Sequence, residues 1–155
     1  MSLKLTRTDL IRTQNFIGGR WCTRDPEAVL PVTNPADDSY IVQVPDSNAV
    51  DAREAVDAAH SAFAAWRSTP AKQRAQLIKR WNDLILEHQE DLGRLISLEQ
   101  GKPLAEGRGE VAYAASYVEW FAEEATRSYG DVIPAPVAGR RMTAIKEPVG
   151  VVAAI

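Results

Sequence analysis

The chain has 155 residues, of which 45% are hydrophobic and 25% charged, an ordinary balance for a soluble domain long enough to bury a core. Its net charge of −3 excludes a general nucleic-acid binder, which needs a basic face to displace counterions from phosphate. The single cysteine, Cys22, rules out an internal disulfide, and no run approaches the roughly 20 apolar residues of a membrane span.

The first 14 residues scatter Lys4, Arg7 and Arg12 among Leu and Ile without a continuous apolar stretch. No secretory leader is expected from them, and the cytoplasm is the expected compartment. Next, Gly18-Gly19 interrupts the short β-prone stretch 16–21, which is a hairpin signal. Residues 33–38 (Thr-Asn-Pro-Ala-Asp-Asp) read as a turn cluster, and 39–44 as a strand that Pro45 ends.

Helices follow. Ser47 is the expected N-cap of the first, with Asp51 and Glu54 early, where the helix dipole favours negative charge. Its apolar positions are Val50, Ala55, Val56, Ala59, Ala62, Phe63 and Trp66. Thr69-Pro70 supplies a capping hydroxyl and a first-turn proline for the second, whose stripe is Leu77, Ile78, Trp81, Leu84 and Ile85. Leu92, Leu95, Ile96 and Leu98 mark a third, stopped by Gly101 and Pro103. A fourth is expected over 104–129, with Val111, Ala114, Ala115, Val118, Phe121, Ala122 and Ala125 on its apolar side. Residues 131–139 read as an exposed connection holding Pro134 and Pro136, and 140–147 as a weakly alternating strand. The almost wholly apolar 148–155 fits a strand buried on both faces, as in a parallel sheet.

No catalytic constellation stands out. Cys22 lacks a visible base, and its plainer role is a small thiol beside Trp21. His60 and His88 sit on expected helix surfaces without other ligands at metal spacing. Glu119, Glu123 and Glu124 read as a solvated helix face. Neither Gly18-Gly19 nor Gly107-Arg108-Gly109 is a phosphate-binding turn between strand and helix. Tyr113, Tyr117, Trp120 and Phe121 share one helical side, which is either packed core or the wall of a channel.

The order of several short motifs is informative. They are Phe16-Ile17-Gly18-Gly19-Arg20-Trp21, Thr33-Asn34-Pro35-Ala36, Ala64-Ala65-Trp66, Leu98-Glu99-Gln100-Gly101-Lys102-Pro103, Glu119-Trp120-Phe121-Ala122-Glu123-Glu124 and Glu147-Pro148-Val149-Gly150-Val151. In this order and at these intervals, the chain resembles the aldehyde dehydrogenase superfamily from about Asn15 onward. Residues 98–106 and 109–124 are most similar to bacterial succinate-semialdehyde dehydrogenases, a pattern that glutarate-semialdehyde enzymes share.

The resemblance implies an α/β architecture, namely the N-terminal portion of an aldehyde dehydrogenase-like fold. Residues 1–14 would be an extension and 15–130 the helical part of the cofactor-binding domain. Residues 131–147 would be an oligomerisation arm crossing to another subunit, making a homo-oligomer, and 148–155 the first strand of a Rossmann-like sheet. It further implies NAD or NADP as cofactor and a small aldehyde as substrate. Ile155 would fall where that first strand reaches the dinucleotide, and Tyr113, Tyr117 and Trp120 on the helix lining the substrate channel. Thr33 and Glu99 match positions that hold a structural monovalent cation in some members. The family's nucleophilic cysteine, general-base glutamate, oxyanion asparagine, glycine-rich cofactor turn and the carboxylate-binding arginine of semialdehyde enzymes match no residue here, and Cys22 is not at the nucleophile's position. The expectation is therefore the inactive front part of a longer dehydrogenase. The rival expectation is a non-catalytic helical module that binds a partner through residues 131–155.

Overall fold

The computed structural model describes residues 4–155. Three antiparallel hairpins and four helices make up the fold. In the first hairpin, β1 (Asn15–Ile17) pairs with β2 (Arg20–Cys22) through Gly18 and Gly19. Both glycines have positive φ, 58° and 81°, the geometry that matches the twist of the strands and that side-chain-bearing residues resist.

The second hairpin joins β3 (Val29–Thr33) to β4 (Tyr40–Pro45), with a register shift between Val32 and Thr33. The expected turn cluster closes it: Asn34 N–H donates to the Ser39 carbonyl at 2.8 Å, and Asn34 Oδ1 accepts from Ala36 N–H at 2.9 Å. Strand β3 itself was not foreseen, because Pro31 sits inside it. In a two-stranded ribbon both strands are edges, so a missing N–H is tolerated.

Helix α1 (Ala49–Arg67) starts one residue later than expected. Ser47 Oγ accepts from Asn15 Nδ2 at 2.7 Å, so Asn48 takes over the cap. Asn48 Oδ1 accepts from Val50 N–H at 2.7 Å, and Asp51 reaches back to Asn48 N–H at 2.9 Å, a reciprocal capping box. Thr69 does not cap α2 (Ala71–Glu87); its hydroxyl bonds back to the Ala65 carbonyl at the end of α1. Only His88 separates α2 from α3 (Gln89–Gln100), which ends at Gly101 in the left-handed conformation, φ 66°. Helix α4 (Leu104–Glu124) then gives way to a 3-10 turn over Ala125–Arg127, short of the expected end at 129. There the Thr126 and Ser128 hydroxyls take the carbonyls of Glu123 and Ala125, competing with the helical ladder.

Helix α4 is the centre of the packing, with α2 and α3 laid against it. Its buried edge is Val111, Ala115 and Ala122, with Val118 half-buried between them. The crossing of α3 and α4 is close. A Cβ on Gly107 would land on the Gly93 carbonyl oxygen, and one on Gly93 would meet Arg108 N and Cα at 3.0 and 3.1 Å. Polar links clasp the same crossing: Glu90 accepts from Arg108 Nη2 at 2.8 Å, while Arg94 Nε on its own helix donates to it at 2.9 Å, and Gln89 Nε2 donates to the Arg108 carbonyl at 3.1 Å. The amino-terminal segment is pinned to α3 as well. Asp91, nearly buried, accepts the backbone N–H groups of Thr6 and Arg7 at 2.9 and 2.8 Å.

Much apolar surface has no cover. Of the expected α2 stripe, Ile78 and Ile85 turn inward, while Leu77, Trp81 and Leu84 stay exposed. Helix α1 buries none of its apolar side chains. The accessible surface is 11752 Å², whereas a self-contained 17.0 kDa monomer exposes roughly 7,700 Å².

The third hairpin, β5 (Asp131–Ile133) with β6 (Met142–Ala144), is exposed throughout. The strand expected over 140–147 is thus only three residues long. The strand expected over 148–155 does not form: the segment has no ladder partner, and Val149, Val152 and Ile155 stand in solvent. A parallel strand has no stability without neighbours to take its hydrogen bonds.

Two measurements probe the α3–α4 crossing. Gly107→Ala should destabilise the chain by about 1–3 kcal/mol through overpacking, whereas Gly109→Ala, with open space around its Cβ, should stabilise it by up to about 1 kcal/mol. Thermal melts followed by circular dichroism read both signs. The hydrogen bond from Arg108 holds Glu90 down from 4.5 to about 2, against desolvation, with Arg94 helping. A depressed carboxyl stabilises the fold above its unfolded pKa, and that contribution fades as pH falls from about 4.5 to about 2. Glu90→Gln should melt lower than the wild type at pH 7, and the gap should close across that window.

Candidate functional site

The aromatic side of α4 is where the expected channel residues gather. Tyr113, Tyr117, Trp120 and Phe121, with Ser116, line a depression of about 370 Å³. All four rings are exposed in this chain. The tyrosine hydroxyls are 2.6 Å apart and the rings meet edge-on, with centroids at 5.0 Å. The hydrogen bond with Tyr113 raises the Tyr117 pKa above the ordinary phenol value, with the Tyr113 charge and desolvation acting the same way. Every lining residue comes from one helix, so the described residues supply a single wall.

The proposed cation ligands lie on segments that adjoin. Around Gly101, a Cβ would stand 3.0 Å from Ala36 N and Pro35 Cγ. The cavity beside this contact, about 380 Å³, is lined by Asn34, Asp37, Ser97 and Lys102 among others, but by neither Thr33 nor Glu99. Glu99 is exposed, and no group of three or more His, Cys, Asp or Glu side chains among the described residues is arranged to hold a metal.

Cys22 is half-buried on β2, in a cleft with Arg24, Asp51 and Glu54. Arg24 bonds Asp51 at 3.1 Å and pairs with Glu54, so this cleft is a charge-paired joint between the segment following β2 and α1. His60 is exposed; His88 lies at the α2–α3 junction rather than on a helix surface. Its Nε2 is 3.2 Å from Arg7 Nη1, and since a guanidinium only donates, the imidazole nitrogen accepts. Gly107 and Gly93 serve the helix crossing, not a phosphate. Ile155 ends the uncovered apolar segment.

A dinucleotide needs a glycine-bearing turn from strand to helix. Among the described residues the one strand-to-helix connection is Asp46-Ser47-Asn48 between β4 and α1, and it has no glycine. These residues do not fit a nicotinamide cofactor's phosphates. No helix among them is long and apolar enough to cross a membrane.

Residues 21–155 match the aldehyde dehydrogenase family. The chain belongs to that family. It is 49% identical over 153 residues to the NADP-dependent succinate-semialdehyde dehydrogenase of Escherichia coli (strain K12), covering 99% of this chain and 32% of that protein. Two Pseudomonas putida enzymes, a 3-sulfolactaldehyde dehydrogenase and a glutarate-semialdehyde dehydrogenase, are 50% and 48% identical with the same coverage. The crystal structure of succinate-semialdehyde dehydrogenase from Burkholderia pseudomallei superposes with a TM-score of 0.90 at 44% identity, over 94% of this chain and 30% of that one. The α/β architecture expected from the motifs is thus that of aldehyde dehydrogenases over their N-terminal portion. The chain spans about a third of the length of the curated relatives it matches.

Replacing Tyr113 with Phe should bring the Tyr117 phenol back down towards its ordinary value. An ultraviolet titration of the phenols checks this. If the variant loses only the Tyr113 amplitude and the remaining phenols titrate as before, the 2.6 Å contact does not persist in solution.

Proposed function

We propose that this chain forms the leading part of an NAD(P)-dependent aldehyde dehydrogenase that oxidises succinate semialdehyde to succinate in the cytoplasm. The observation that carries the reading is the 49% identity, over nearly the whole chain, to a succinate-semialdehyde enzyme. Glutarate semialdehyde is the second reading, supported by the 48% identity to an enzyme of that name. The two substrates, like 3-sulfolactaldehyde, carry an anionic group at the end away from the aldehyde. The rival, a non-catalytic helical module that binds a partner through residues 131–155, has less support, because the relatives matched over nearly the whole chain are named as dehydrogenases.

In this reading Tyr113, Tyr117 and Trp120 form one wall of the substrate channel, and their exposure on α4 supports it. Ile155 falls where the first strand of the Rossmann-like sheet would reach the dinucleotide, and Thr33 and Glu99 flank the contact between the 34–36 turn and the end of α3, where a structural cation would sit. The β5–β6 ribbon is the subunit arm of a homo-oligomer. It is exposed on all sides, and a two-stranded ribbon gains stability when a partner strand pairs with its edge. The nucleophile, the general base and the cofactor turn belong to other parts of the enzyme. Among the described residues Cys22 has no hydrogen-bonded base.

Full-length enzyme should reduce NAD(P) with succinate semialdehyde at a higher kcat/KM than with glutarate semialdehyde or betaine aldehyde. The reverse order would move the assignment to the favoured aldehyde. The 155-residue chain alone should give no NAD(P)H with any aldehyde, and should self-associate in sedimentation through its uncovered apolar faces. Turnover by the isolated chain, or a monodisperse monomer, would contradict these two expectations in turn.

A further inference from the structure

We draw no further inference here: the strongest candidate, the groove between α2 and α4 in which the Asn82 carboxamide oxygen is buried without a hydrogen-bond partner among the described residues, carries nothing, because the chain spans about a third of its relatives' length and nothing in the structure shows what covers that groove.

Discussion

The close crossing of α3 over α4 is the constraint on which the rest of the arrangement depends. Two glycines, Gly93 and Gly107, let the backbones approach until no side chain fits between them. At that range the small residues of α4 suffice: Val111, Ala115 and Ala122 are its buried apolar positions. Dispersion falls off steeply with distance, so a tight contact between small side chains does the holding that bulky ones would do across a wider gap. Because so little apolar volume is buried, polar groups fix the geometry. Glu90, paired with Arg94 one turn along its own helix, reaches Arg108 across the crossing, and Ser97 donates to the Lys102 carbonyl at the turn from α3 into α4.

Where local chemistry alone decides the backbone, the sequence was readable. Gly18-Gly19 specifies the first hairpin, and Gly101 stops α3, because few residues accept the left-handed conformation found there. The elements misread are those in which a distant group intervenes. Ser47 would have capped α1 had Asn15 not claimed its hydroxyl, and Thr69 spends its hydroxyl on the helix behind it rather than the one ahead. The α2 stripe shows the limit most clearly. Leu77, Trp81 and Leu84 are as apolar as Ile78 and Ile85, and only the position of α4 sorts exposed from inward. The closing apolar segment has strand-like composition, but composition cannot supply the neighbours a parallel strand requires.

The candidate site was legible in the same partial way. Helical spacing alone places Tyr113, Tyr117 and Trp120 on one side of α4. That the two phenols touch through their hydroxyls depends on rotamers, which no spacing encodes. The burial of the polar residues was not legible in the sequence. Asp51 and Asp91 look like acids placed to favour a helix dipole, yet each is engaged by groups far off in the chain, Arg24 in one case and the backbone of residues 6 and 7 in the other. Asn82 is concealed within the outward-looking pattern of α2. It faces a groove with Ala122 and Glu123 of α4, and its Oδ1 is buried without a hydrogen-bond partner among the described residues.

The latch between Asp91 and the Thr6–Arg7 backbone redraws where this unit physically starts. Family-like motifs set in near Asn15, and an engineer excising the region would be tempted to cut there. Such a cut would strip a shielded carboxylate of both its amide donors and leave an uncompensated charge beside α3. Any chimera, shortened version or fused reporter grafted onto this scaffold should therefore keep the chain intact back through Thr6, and treat those early residues as part of the helix they fasten.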